Sequence, residues 1–186
     1  MADVTTNRIA GLESLLKGHG GKGPPPVEKW NPPYCGDIGM AIKADGTWFY
    51  AGSPIGRMAL VKLFASVLRK DDDGKHYLVT PAEKVDVAVA DAPFLAVEME
   101  VRNPGPAQDL VFRTNVDDVV SVGPAHPMRF ARDPRSDGLK PYIRVRGRLE
   151  ALVTRALYYD LVEIAVEHAD RLGIWSGGTF FPLDDV

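Results

Sequence analysis

Turn signals punctuate this chain so closely that only short elements fit between them. Asp45-Gly46, residues 71–74, Asp91-Ala92-Pro93 and Asn103-Pro104-Gly105-Pro106 each mark a place where the backbone reverses or breaks. Residues 38–50 read as a hairpin, because Asp45-Gly46 supplies the positive backbone angles of a tight turn. A helix is expected next, with Ser53 as N-cap, Pro54 at its first position and an apolar face of Ile55, Met58, Leu60, Val61, Leu63, Phe64, Val67 and Leu68. Strands are expected at 76–80, 85–89 and 94–101. Beyond the break at Asn103 come five further short segments, 110–114, 119–122, 128–131, 141–146 and 149–153, a pattern typical of a small barrel or sandwich. Residues 154–169 read as a second helix. The tail GIWSGGTFFPLDDV is too rich in Gly and Pro for a helix and too aromatic to be left in water, so it must pack on the body or on a partner.

The fold class that follows is α+β, with two β-rich domains. Three parts are expected: an N-terminal helix and Gly/Pro linker over 1–26, an α+β domain over 27–102, and a β domain with helix and aromatic tail over 103–186. In the first, Ile9, Leu12, Leu15 and Leu16 fall at helical spacing, and GHGGKGPPP then ends the helix. That stretch lacks the glycine-lysine spacing of a phosphate loop and no strand precedes it. An internal repeat is also legible: RMALVKLFASVL superposes on RALYYDLVEIAV with Arg57 on Arg155, and strands precede each copy. Duplication of a strand-strand-helix unit accounts for it, and two such domains would offer an interface for a ligand.

Composition excludes several classes. No apolar run is long enough to span a membrane and no secretory leader is visible, so a cytoplasmic protein is expected. The single cysteine, Cys35, rules out an internal disulfide and reads as a small buried hydrophobe. His19, His76, His126 and His168 show no metal-ligand spacing, so no metal and no cofactor are expected. Net charge is -3, yet residues 129–155 hold eight basic residues against Asp133, Asp137 and Glu150, a local balance of +5. One basic segment in an acidic chain suits a small anionic ligand better than non-specific nucleic-acid binding, and no sequence-specific nucleic acid is expected.

The strings VEKWNPPYCGDI (27–38), DGTWFYAGSPIGR (45–57), YLVTPAEK (77–84) and DAPFLAVE (91–98) resemble a bacterial family of domains of unknown function, the one numbered 1285. TN (114–115), PYIRVRGRLEAL (141–152) and RALYYDLVE (155–163) extend the likeness over nearly the whole chain. The resemblance implies two domains of related architecture, the C-terminal one pleckstrin-homology-like, with a nucleotide-type ligand at their interface and a role in signal transduction. It supplies no catalytic residue.

The candidate ligand-binding residues are Arg57, Thr114, Asn115, Arg129, Tyr142, Arg144, Arg146, Arg155 and Tyr158. Strand alternation sets Tyr142, Arg144 and Arg146 on one face, with Ile143 and Val145 on the other. Two guanidiniums beside a ring make a receptor for phosphate or carboxylate, or else a solvated outer face. Arg57 and Arg155 begin helices, where a cation calls for a compensating carboxylate or an anionic ligand. Thr114 and Asn115 hydrogen-bond a ligand or shape a turn. Three functions stay open: a ligand-binding regulatory protein, a small enzyme acting on a phosphorylated or carboxylated substrate, and an interaction scaffold that oligomerises through Trp175, Phe180 and Phe181. No catalytic group is assigned.

Overall fold

The structure is a computed structural model that describes residues 10–14, 16 and 23–184. It divides into two compact units, Met1–Asp91 and Ala92–Val186. The division falls well before the expected break at Asn103. The reason is pairing: the strand crossing that stretch bonds only to later strands. Of the expected N-terminal helix, 10–14 and 16 are helical, while Ile9 and Leu15 lie outside the described residues, as does 18–22 of the linker.

The N-terminal unit comprises β1 (Tyr34–Ile42), β2 (Trp48–Tyr50), β3 (Ser53–Pro54), α1 (Met58–Ser66), β4 (Leu68–Lys70), β5 (His76–Val79) and β6 (Lys84–Val89). They form one sheet in the order β3-β2-β1-β6-β5-β4, antiparallel except for the central pair β1 and β6. The hairpin at Asp45-Gly46 is present: Lys43 N donates to Thr47 O at 2.9 Å, and Gly46 takes φ +83°. Trp48 and Phe64 stack at 6.4 Å between centroids, which seats α1 against the sheet. Buried Arg69 donates to the carbonyls of Val27 and Trp30 at 2.7 and 2.8 Å and to the Asp71 carboxylate. A single guanidinium thus fastens the 3-10 turn at Val27–Lys29 to β4.

Ser53 and Pro54 do not begin a helix. Left-handed backbone at Ala51 (φ +47°) and Gly52 (φ +82°) reverses the chain after Tyr50, so Ser53 pairs back onto Tyr50 and Pro54 onto Phe49. The helix starts only at Met58, with Arg57 as its cap. Cys35 is exposed at the start of β1 rather than buried, because that end of the strand faces water.

The C-terminal unit comprises β7 (Phe94–Arg102), β8 (Asp109–Thr114), β9 (Val119–Ser121), β10 (Met128–Arg132), β11 (Leu139–Arg146), β12 (Leu149–Val153), α2 (Arg155–Glu163), β13 (Val166–His168), β14 (Arg171–Ser176) and β15 (Thr179–Pro182). The first six form a sheet ordered β10-β11-β12-β7-β8-β9, and the last three a small sheet of their own. Both six-stranded sheets follow one plan: two three-strand meanders whose first and sixth strands lie parallel at the centre. The helix falls between the meanders in the N-terminal unit and after both in the C-terminal unit.

The expected helix over 154–169 ends early, at Glu163. Val166–His168 pairs instead with β14 through a two-residue turn in which Ala169 and Asp170 both take positive φ, +51° and +61°. The aromatic tail becomes β14 and β15 and packs on its own domain. Buried Ser176 Oγ donates to Val122 O at 2.7 Å and accepts from Leu110 N at 2.9 Å, while Gln108 Nε2 donates to Trp175 O at 2.9 Å. These bonds staple the small sheet to β8 and the end of β9. Among the described residues, no helix is long and apolar enough to cross a membrane.

Candidate functional site

Short-range backbone chemistry builds the rim of the first cavity in the C-terminal unit. The loop from β10 to β11 turns on Asp133: its N–H donates to Gly138 O at 2.8 Å, and its carbonyl accepts from Ser136 N and Asp137 N. The Asp133 carboxylate accepts from Arg135 N at 2.9 Å. That bond, opposed by partial burial and assisted by the charges of Arg135 and Lys140, holds Asp133 below the usual carboxylate range. Behind the loop, Leu139, Pro141, Leu152 and Val153 give the cavity an apolar lining, and α2 adds Arg155, Tyr158 and Tyr159. The cavity is open to solvent on one side and has a volume of about 450 Å³.

Arg155 is held in place without being neutralised. Its Nε donates to the Tyr159 hydroxyl at 3.1 Å, a bond that raises its proton affinity further. Its two terminal NH2 groups find no partner among the described residues. Thr154 makes no side-chain cap bond and the first turn of α2 has no acid. The helix start therefore adds unneutralised donors beside the guanidinium. Tyr158 and Tyr159 meet edge to face at 5.8 Å, so one ring braces the other. Lys140 brings a second cation to the lining and Asp133 the one carboxylate.

Of the nine predicted residues, this cavity brings together Arg155 and Tyr158. Arg57 lies in the other unit, exposed, and pairs with Glu13 at 2.7 Å, so the cation at that helix start has found its carboxylate. Thr114 is fully buried, and its Oγ1 accepts from Val116 N and Asp118 N. Asn115 exchanges two bonds with the Leu95 backbone. Both act in turn geometry, on the other side of β7 from β12.

Two arginines of the basic strands are paired elsewhere. Arg129 stacks on the Tyr142 ring at 4.3 Å and makes a bidentate pair with Glu150, both bonds at 2.7 Å. Tyr142 is consequently buried. Arg146 pairs with Asp118 at 2.6 Å over the Phe94 ring. A register shift between Arg144 and Arg146 interrupts the alternation expected there, and Arg144 points outward, exposed. Lys140, Asp133 and Tyr159 were missed as cavity residues. The signal for the first two was the Ser136-Asp137-Gly138 turn, which folds the loop back over the strand that carries Lys140.

Fold and cavity together define a two-domain, β-rich α+β protein with each domain built on a six-stranded sheet. Residues 25–92 match the DUF1285 N-terminal domain, a domain of unknown function, and residues 93–183 match the C-terminal domain of the same protein of unknown function. The chain belongs to the DUF1285 family. A DUF1285 family protein from Silicibacter pomeroyi DSS-3 is 46% identical, with 92% of this chain and 93% of that one covered and a TM-score of 0.86. Another, from Shewanella baltica OS155, is 30% identical, covering 68% of this chain and 92% of that one, with a TM-score of 0.53. No curated protein matches the chain.

Proposed function

We propose that this is a ligand-binding regulatory protein of the cytoplasm, with a role in signal transduction, whose C-terminal domain takes a small anionic, nucleotide-type ligand in the cavity beside α2. The observation that carries the reading is Arg155: a guanidinium oriented by Tyr159, with no partner for either terminal nitrogen among the described residues, on the wall of a cavity that Tyr158 also lines. A fork of free N–H donors suits phosphate or carboxylate oxygens, and the tyrosines suit a planar base. The volume of about 450 Å³ falls within the ordinary range for small-molecule sites. Domain duplication and a pleckstrin-homology-like C-terminal unit belong to the same reading. The shared strand order supports the first, and the helix that follows the last strand of the C-terminal sheet supports the second.

Isothermal titration of a nucleotide panel at low salt tests the proposal. Loss of two charge-assisted bonds in Arg155→Ala is expected to weaken binding by about tenfold or more. Arg144→Ala, whose side chain lies outside the cavity, is expected to leave affinity unchanged. Absence of binding by every nucleotide, or equal affinity of Arg155→Ala and the native chain, overturns the reading.

A further inference from the structure

A second cavity, of about 580 Å³, opens in the C-terminal unit between the loop that follows β7 and the strand β13. Its lining differs from the first in charge, holding no Lys or Arg. Pro104, Pro106, Ile164 and Val166 make it largely apolar, and Trp175 gives it an aromatic wall. That indole is fixed on two sides, 5.0 Å from the His168 ring and 5.3 Å from the Phe180 ring between centroids. Gln108 is 6% exposed, and its amide nitrogen is already committed to the Trp175 carbonyl. Its amide oxygen is therefore an acceptor with no described partner. Glu167 is the one Asp, Glu, Lys or Arg of the lining, and its carboxylate likewise has no hydrogen bond or ion pair among the described residues.

An apolar cavity with an aromatic wall, one carboxylate and one amide oxygen without partners among the described residues offers acceptors and a negative charge, with the His168 imidazole as its one other titratable group. We propose that it is a second ligand site, for a small molecule with an aromatic or apolar body and a positively charged nitrogen, the arylalkylamine class. The body displaces water from the proline, isoleucine and valine surface and packs on Trp175. The ammonium pairs with Glu167 and donates to Gln108 Oε1. Anions are disfavoured by the Glu167 charge and find no Lys or Arg in the lining. Nothing in this site depends on Arg155 or on the first cavity.

Three probes with a common phenethyl body separate charge from shape: phenethylamine, phenethyl alcohol and hydrocinnamate. Titrated into the full chain and followed by amide chemical shifts, phenethylamine is expected to bind about tenfold more tightly than hydrocinnamate, with shifts centred on Gln108 and Val166–His168. Glu167→Gln is expected to bring the amine down to the affinity of the alcohol. Glu163→Gln, an equal change of charge outside the lining, is expected to keep the preference. The proposal is overturned if hydrocinnamate binds as well as the amine, if both variants lose the preference alike, if the shifts fall elsewhere, or if no probe binds at millimolar concentration. Nucleotide binding by the native chain and its loss in Arg155→Ala read the first cavity alone, so the two proposals fail separately.

Discussion

The two cavities of the C-terminal unit are close in size and opposite in electrical character. One is lined by Arg155 and Lys140 against Asp133, with two tyrosines; the other has Glu167 and no Lys or Arg, with an imidazole and an indole. Both lie in a domain whose residues 129–155 carry a balance of +5. That local excess does not predict where a positive site forms. Arg129 is matched by Glu150 and Arg146 by Asp118, each at under 3 Å, while the two NH2 groups of Arg155 have no partner among the described residues. The sign of a site is set by the charges left unpaired after folding, because a matched pair projects little field beyond itself.

The single change expected to damage the small sheet most falls at Gly173. A Cβ there would stand 2.6 Å from the Phe181 carbonyl oxygen and closer still to the Phe180 ring, and the backbone oxygen cannot step aside. Gly173→Ala is expected to lower unfolding free energy by about 3 kcal/mol in denaturant titration. Phenethylamine binding should be lost and Arg155-dependent nucleotide binding kept; loss of both would show that the cavities are one cooperative structure. Ser176→Ala should cost about 2 kcal/mol, since it strands the Leu110 N–H and the Val122 carbonyl in a buried position. Thermal unfolding should record this as a lower Tm, again with the second cavity affected more than the first.

The smallest effect is one of pH, and it belongs to the unit that houses neither cavity. Burial, reinforced by the charge of Lys70, pushes His76 down from 6.5 to about 4. Its neutral form is native, so the unfolded chain binds the extra proton first. The stability His76 permits is intact above pH 6.5 and is lost as pH falls from there towards about 4. A Tm lower by a few degrees at pH 5 than at pH 7 is expected in the native chain, and a smaller drop in His76→Gln. Saturating either cavity with its ligand should leave that difference in place.

Elements governed by neighbours in sequence were legible in advance. The strand expected at 149–153 is Leu149–Val153, and the Asp45-Gly46 hairpin stands where its turn chemistry put it. Ends decided by distant pairing were not. Ser53-Pro54 looked like a helix start because Ser and Pro favour that position, yet pairing with β2 claimed them. Residues 166–168 looked like the last turn of a helix, and β14 drew them into a sheet. Within the candidate site, Arg155 and Tyr158 were found together because one helical turn separates them. Lys140 and Asp133 reach the same lining only through the fold of the loop between β10 and β11.

Alternation, glycine and proline act over a few residues, so the family, the β-rich α+β class and ten of the fifteen strands among the described residues were legible in the amino-acid sequence. Only the tertiary structure decided the strand order, the central parallel pairs and which guanidiniums and carboxylates remain unmatched. Those outcomes rest on contacts between residues far apart along the chain, and a charge is neutralised by whatever folding brings within hydrogen-bond reach.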